Sequence, residues 1–372
     1  MKVIKSYFTT GLCGTCYREL PATIEYRSDN AAYITKTCPV HGYEEAMVEK
    51  DWSFWDSATQ LHPDNQTWQQ YNNVTLVEAT DRCNVACTHC YHMPDDTIPD
   101  KSVDHIITLA RTAFTQSICL AGAEPTMRND LTDVIRGIKQ IPWMDTYKTV
   151  SIYTNGIKLQ KAGYVETLKA AGLDTVNMSV HHPEYHEANV WKHVSRALNH
   201  VAECEIDLGQ ISFTVENKQQ VNYAMDKMLW LMERGRHPTD FCVRSPAQIG
   251  VPYESEEVYA SQIFKWLAEV CEERGLSFEK HPNHGSNPYH VGALLEGKQT
   301  IQVIHWATVK SVDTSYMYMG PWAIMMPNTW GTFLIQAILR DGVRKGWYQG
   351  NRVMPPMAEQ TISFIKRDAI LN

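Results

Sequence analysis

Between residues 74 and 250 the chain alternates short strand-like runs with longer amphipathic ones, and this alternation limits the fold more than any other feature. The strand-like runs are Thr75–Ala79, Ser117–Leu120, Thr149–Tyr153, Thr175–Val180, Leu208–Val215 and Phe241–Arg244. Helical runs fall near Ser102–Thr115, Leu131–Ile141, Lys161–Ala171 and Val190–Glu203. The first of these puts Val103, Ile106, Ile107 and Ala110 on one face, and Pro125 is expected to open the second. Repeated βα units require a parallel sheet with right-handed crossovers. The expectation is therefore an α/β fold: a partial (β/α)6 barrel, open on one side. Its reactive groups belong in the loops at the C-terminal ends of the strands.

The loop after the first strand reads Cys83-Asn84-Val85-Ala86-Cys87-Thr88-His89-Cys90. Three thiolates can hold three corners of a 4Fe-4S cube, and four are needed to close it, so one iron stays open to a small molecule. The second strand ends in Ala121-Gly122-Ala123-Glu124-Pro125-Thr126, and the third in Thr154-Asn155-Gly156. The fourth leads through Ser179 to His181 and His182, imidazoles suited to binding substrate or moving a proton near neutral pH, or else held by loop backbone. Arg244, at the end of the sixth strand, suits an anionic group or an ion pair with a nearby loop. Cys242 shares its face, as a radical-quenching thiol or a small apolar filler.

A second metal pattern precedes the barrel. Cys13-Gly14-Thr15-Cys16 and Cys38-Pro39-Val40-His41 are ligand pairs 21 residues apart. Each pair lets one tight turn present two side chains to a tetrahedral ion, and a Cys3His set favours zinc over iron. The intervening runs Ala22–Arg27 and Ala31–Lys36 alternate as a hairpin about Ser28-Asp29-Asn30. Cys13, Cys16, Cys38 and His41 are thus the expected ligands of a closed, structural site.

The Cys-x3-Cys-x2-Cys loop, with its Gly-Ala-Glu-Pro and Thr-Asn-Gly strand ends, resembles the radical S-adenosylmethionine (SAM) superfamily. The resemblance implies that Cys83, Cys87 and Cys90 bind three irons while SAM chelates the fourth. Electron transfer from the cluster then cleaves SAM reductively to a 5′-deoxyadenosyl radical. It implies His89 near the adenine and Gly122, Ala123 and Glu124 at the SAM amino group. Thr154 and Asn155 would lie near the ribose, with Ser179 and either Thr214 or Glu216 at the carboxylate or ribose. Arg244 is a further candidate for the SAM carboxylate, and His181 and Cys242 are the candidate catalytic side chains. With the N-terminal knuckle, the chain is similar to the pterin dimethyltransferase and tetraether-lipid synthase branch. That likeness implies hydrogen abstraction from a small-molecule, lipid or nucleotide-like substrate, followed by methylation or carbon–carbon bond formation. A reductase, flavodoxin or ferredoxin would donate the electron. The alternatives are a peptide-modifying maturase, an aminocarboxypropyl transfer from SAM, and a non-catalytic iron–sulfur or zinc adaptor.

The expected domains are a zinc-ribbon or rubredoxin-like lobe at 1–50, a linker at 51–73, the barrel at 74–290 and a C-terminal α+β extension at 291–372 that serves as a substrate lid. The extension lacks clustered cysteines, which points to a single iron–sulfur cluster. A formal net charge of −8 does not indicate a nucleic-acid groove. No apolar run is long enough to span a bilayer. Six of the ten cysteines, together with His41, fall in two spaced metal patterns rather than disulfide pairs, so a reducing cytoplasm is expected.

Overall fold

The computed structural model describes residues 1–311 apart from 17, 61–73, 91, 93, 114, 186–189, 247–255, 282–289 and 306–309. An antiparallel sheet opens the chain, with β1 (Val3–Leu12), β2 (Glu19–Arg27), β3 (Ala32–Cys38) and β4 (Gly42–Glu49) in sequential order. The expected hairpin is β2–β3, with Tyr26 opposite Ala32. The flanking strands β1 and β4 are additions to it. The stretch read as a linker begins with a helix, α1 (Trp52–Gln60). Its Trp55 is fully buried and donates from the indole to the Tyr7 hydroxyl at 2.9 Å.

The six expected parallel strands are all present, as β5 (Val74–Thr80), β6 (Ser117–Gly122), β9 (Thr149–Thr154), β10 (Thr175–Ser179), β11 (Asp207–Thr214) and β12 (Asp240–Arg244). A small ribbon, β7 (Pro142–Trp143) with β8 (Thr146–Tyr147), precedes β9. The helices on the outside are α2 (Val103–Thr112), α3 (Leu131–Lys139), α4 (Tyr164–Ala171), α5 (Val190–Glu203), α6 (Lys218–Met232) and α7 (Ala260–Glu273). Pro125 does not open α3. It starts a short 3-10 turn, Pro125–Met127, capped by Glu124, and α3 begins later behind Asp130. The sequence reading passes over α6, whose N-cap Asn217 accepts from the Gln220 backbone at 3.0 Å.

The sheet does not stop at residue 290. Strand β15 (Gln299–Ile304) pairs in parallel with β12, and β14 (His290–Leu295) and β13 (Phe278–His281) follow as antiparallel partners. The complete order is β5-β6-β9-β10-β11-β12-β15-β14-β13. The expected boundary at 290 therefore cuts a hairpin, and β15, which falls in the expected extension, belongs to the barrel. The rest of the expected extension and its role as a lid, from residue 312 onward, lie outside the described residues.

Along β12, Phe241 and Val243 point outward into the core between sheet and helices. Each such side chain stabilises the fold by about 1.5–3 kcal/mol. Asp240, Cys242 and Arg244 point the other way, into the lumen. The lobe is fixed to the barrel at α7: the buried Glu49 carboxylate accepts from the Ser261 backbone at 3.2 Å and its hydroxyl at 2.5 Å. Phe54 also packs against Phe264, and Lys280 donates to Ser57.

Candidate active site

The three barrel cysteines sit in the loop leaving β5, and buried polar contacts hold that loop on several sides. Arg128 is 2% exposed and donates to the carbonyls of Ala79 and Lys101 at 2.9 Å while gripping Asp130 with both ends of its guanidinium. Thr80 and Arg82 both bind Asp100. His92 is buried with Nε2 3.3 Å from the Asp81 carboxylate. No spacing rule marks Arg128, Asp100 or His92, because each acts on residues distant in the chain or carries no ligand pattern.

The donor set suits a cationic cluster. Burial pushes the Cys83 thiol up to about 11 and the Cys87 thiol up to about 12; repulsion from Glu124 and Cys90 adds to the first shift, and from Cys90 and Cys83 to the second. A bound cation removes the penalty on all three thiolates at once.

The neighbouring strand ends are tied to this loop. Gly122 has φ +112°, and a Cβ there would lie 2.5 Å from the Thr80 carbonyl oxygen. Ala123 N–H donates to that oxygen and Glu124 N–H to the Arg82 carbonyl, both at 3.0 Å. The Glu124 side chain is fully buried. Its Oε1 accepts from Thr126 N–H at 3.1 Å, the Thr126 hydroxyl at 2.6 Å and the Thr154 hydroxyl at 2.6 Å; Oε2 accepts from Asn155 N–H at 2.7 Å. Burial raises its pKa and these donors oppose the rise. Four donors use the capacity of a carboxylate. Glu124 therefore clamps two loops together. Thr154 is likewise enclosed in the clamp. Asn155 reaches the cysteine loop instead, with Nδ2 2.8 Å from Asn84 Oδ1 and 3.9 Å from Cys83 Sγ.

His89 is 8% exposed and lies edge-on to two rings, His181 at 4.5 Å and Tyr185 at 4.2 Å. The Tyr185 hydroxyl is 2.9 Å from the Glu216 carboxylate and 2.8 Å from Gln220 Oε1. Glu216 thus sets the position of Tyr185, a residue the sequence reading did not single out. Ser179 and Thr214 are buried at the ends of β10 and β11, with Ser179 Oγ 3.5 Å from Ser212 Oγ.

Below this mouth the lumen is polar. The Tyr153 hydroxyl contacts Ser212 at 2.5 Å and Gln210 at 3.2 Å, and Gln210 donates to Asp240 at 2.8 Å. Arg244 stands over the Tyr153 ring at 6.0 Å. Cys242 is fully buried, and burial pushes its thiol up to about 12. The thiol is therefore protonated and enclosed on β12 between β11 and β15.

In the lobe, one ligand atom from each of Cys13, Cys16, Cys38 and His41 lies within 4.8 Å of all the others. Cys16 Sγ is 3.9 Å from Cys38 Sγ, and His41 Nδ1 is 3.4 Å from Cys13 Sγ and 3.5 Å from Cys38 Sγ. Tetrahedral zinc with Zn–S bonds of about 2.3 Å needs sulfur edges of about 3.8 Å, so the site fits. The Val40 backbone N–H draws the Cys38 thiol down to about 6, leaving it ionised at neutral pH. The buried Lys36 ammonium offsets the excess negative charge; it bonds the Lys310 carbonyl at 2.5 Å and lies 3.6 Å from Glu44.

Residues 77–206 match the model of the radical SAM superfamily. Residues 77–206 thus form a radical SAM domain. Such a domain implies a 4Fe-4S cluster and SAM as cofactors, and residues 6–50 match the HMPTM N-terminal zinc ribbon domain, whose Cys3His group suits a structural metal. Among similar proteins is a 7,8-dihydro-6-hydroxymethylpterin dimethyltransferase of Methanocaldococcus jannaschii, 27% identical over 195 residues, covering 45% of this chain and 38% of that one. Another is a GTP 3′,8-cyclase of Limosilactobacillus fermentum, 34% identical over 142 residues, covering 36% and 40%. The match thus spans about two-fifths of the length of each of these curated relatives. Streptococcus suis SuiB bound to S-adenosylmethionine aligns over 68% of this chain and 69% of that one, with 12% identity and a TM-score of 0.44. Among the described residues, no helix is long and apolar enough to cross a membrane.

Proposed function

We propose that this radical SAM enzyme abstracts hydrogen from a small, polar nitrogen heterocycle of pterin or purine type, leading to methylation or carbon–carbon bond formation. When bound, the cluster and SAM supply the carbon radical that takes the hydrogen. Cys83, Cys87 and Cys90 hold the cluster. The backbone around Gly122 and Ala123, together with Asn155 and Ser179, lines the place for SAM. Glu124 sets the spacing of these loops. His89 and His181 form one wall, and His181 is placed to bind substrate or move its proton.

The observation that carries this reading is the arrangement at one mouth: three mutually repelling thiols, with the ends of β6 and β9 hydrogen-bonded to their loop. The substrate class draws on the two relatives, whose names give a pterin and a purine nucleotide. It also draws on Asn177, Tyr153, Gln210 and Arg244, which offer donors and acceptors in the half-buried lumen. Such a lining suits a flat heterocycle better than a lipid chain.

The test is anaerobic reconstitution followed by dithionite and SAM, with 5′-deoxyadenosine measured by mass spectrometry. The wild-type chain should form it, and Cys83→Ala, Cys87→Ala and Cys90→Ala should each lose iron and the product together. A reconstituted chain that leaves SAM intact would be a metal-binding adaptor.

A further inference from the structure

The outer face of α5 and α6 carries a ladder of alternating rings and cations. Lys227 Nζ lies 4.8 Å from the Trp191 ring and 4.5 Å from the Tyr223 ring. Trp191 meets Trp230 edge-on at 5.2 Å. Trp230 in turn carries the guanidinium groups of Arg234 at 4.2 Å and Arg236 at 5.9 Å. Lys192 and Arg196 add exposed positive charge one turn apart on α5. Of the acidic side chains nearby, Asp226 is paired with Arg274 at 2.7 Å and Glu233 lies 4.0 Å from Arg234. A cationic face is notable on a chain of formal net charge −8.

The ladder does not end at the surface. Tyr223 lies edge-on to the His182 ring at 4.9 Å. The adjoining residue His181 contacts His89, which directly precedes Cys90. Packed rings, joined through the His181–His182 peptide, therefore connect this face to the loop expected to hold the cluster.

We propose that the α5–α6 face docks the acidic one-electron carrier protein that reduces the cluster. This rests on the reading that Cys83, Cys87 and Cys90 bind that cluster. One electron leaves the reduced carrier, which is oxidised by one unit, and enters the cluster, which is reduced by one; no atom is transferred. The rings serve as a packed bridge and are not themselves oxidised. Charge complementarity selects an acidic partner and speeds its encounter. Nucleic acid suits the face less well, since Lys227 and Arg234 already cover ring faces on which bases would stack.

The experiment is stopped-flow reduction of the anaerobically reconstituted enzyme, followed by bleaching of the cluster's visible absorbance. The probes are a pre-reduced acidic flavodoxin and, separately, dithionite. In K192E/R196E/R234E, reduction by flavodoxin should slow by about tenfold or more at low salt, while iron content and reduction by dithionite stay at wild-type levels. Raising ionic strength should slow the wild-type reaction with flavodoxin in the same way. Equal rates in variant and wild type would overturn the proposal, as would a wild-type rate indifferent to salt. If dithionite reduction of the triple variant also falls, the single variant R234E and the wild-type salt dependence decide it. A wild-type chain that dithionite cannot reduce would sink the cluster assignment and this proposal with it.

Discussion

Asp240 lies at the base of the lumen with Gln210 as its hydrogen-bond partner, and burial raises its carboxyl from an ordinary 3.8 to about 6. The raised value means that the folded chain binds this proton more tightly than the unfolded chain. Its contribution to stability is complete below about pH 4 and is lost as pH rises towards about 6, above which both states are ionised. A shift of about two units corresponds to roughly 3 kcal/mol. Asp240→Asn keeps the shape and an acceptor for Gln210 but cannot ionise. The variant should match the wild type near pH 4 and exceed it by up to about 3 kcal/mol at pH 8. Urea unfolding at both pH values, taken as the difference between the two proteins, cancels the other titrating groups. A difference that does not change with pH would refute the enclosed-carboxylate reasoning.

Glu124→Gln should turn an amide nitrogen towards donors that now meet a carboxylate, costing about 2–3 kcal/mol and lowering the melting temperature even without SAM; if only SAM affinity falls, Glu124 is a cofactor ligand after all. Cys242→Ala removes a small enclosed side chain, so the yield of product per 5′-deoxyadenosine in the reconstituted enzyme should stay within about twofold of wild type, and loss of product with 5′-deoxyadenosine retained would assign Cys242 the quenching of the substrate radical.

The parts of the fold that follow from short-range rules were legible in the sequence. The six parallel strands appear where β-branched runs fall, and α5 spans Val190–Glu203 as its apolar spacing requires. The metal pattern of the lobe needed only ligand types and two-residue gaps. What was hidden depends on contacts between distant residues. Strand β15 looks like any other apolar run until it pairs with β12, which no local pattern announces. Glu124 occupies a position that suggests an open carboxylate, yet Thr126, Thr154 and Asn155 converge on it from two loops. Tyr185 carries no motif, and its place between His89 and Glu216 comes from the folding of three separate loops. Cys242 shares the face of Arg244 as expected, but its full enclosure between neighbouring strands appears only in the fold.

The buried ammonium of Lys36 joins the metal knuckle to the backbone at Lys310, and Glu49 joins the same lobe to the first turn of α7. The lobe is therefore not a detachable module. A graft of another zinc ribbon onto this barrel would strand the Ser261 hydroxyl and the Lys310 carbonyl unless it carried a carboxylate and an amine at matching places. Swapping such lobes between relatives should succeed only when both anchors travel with them.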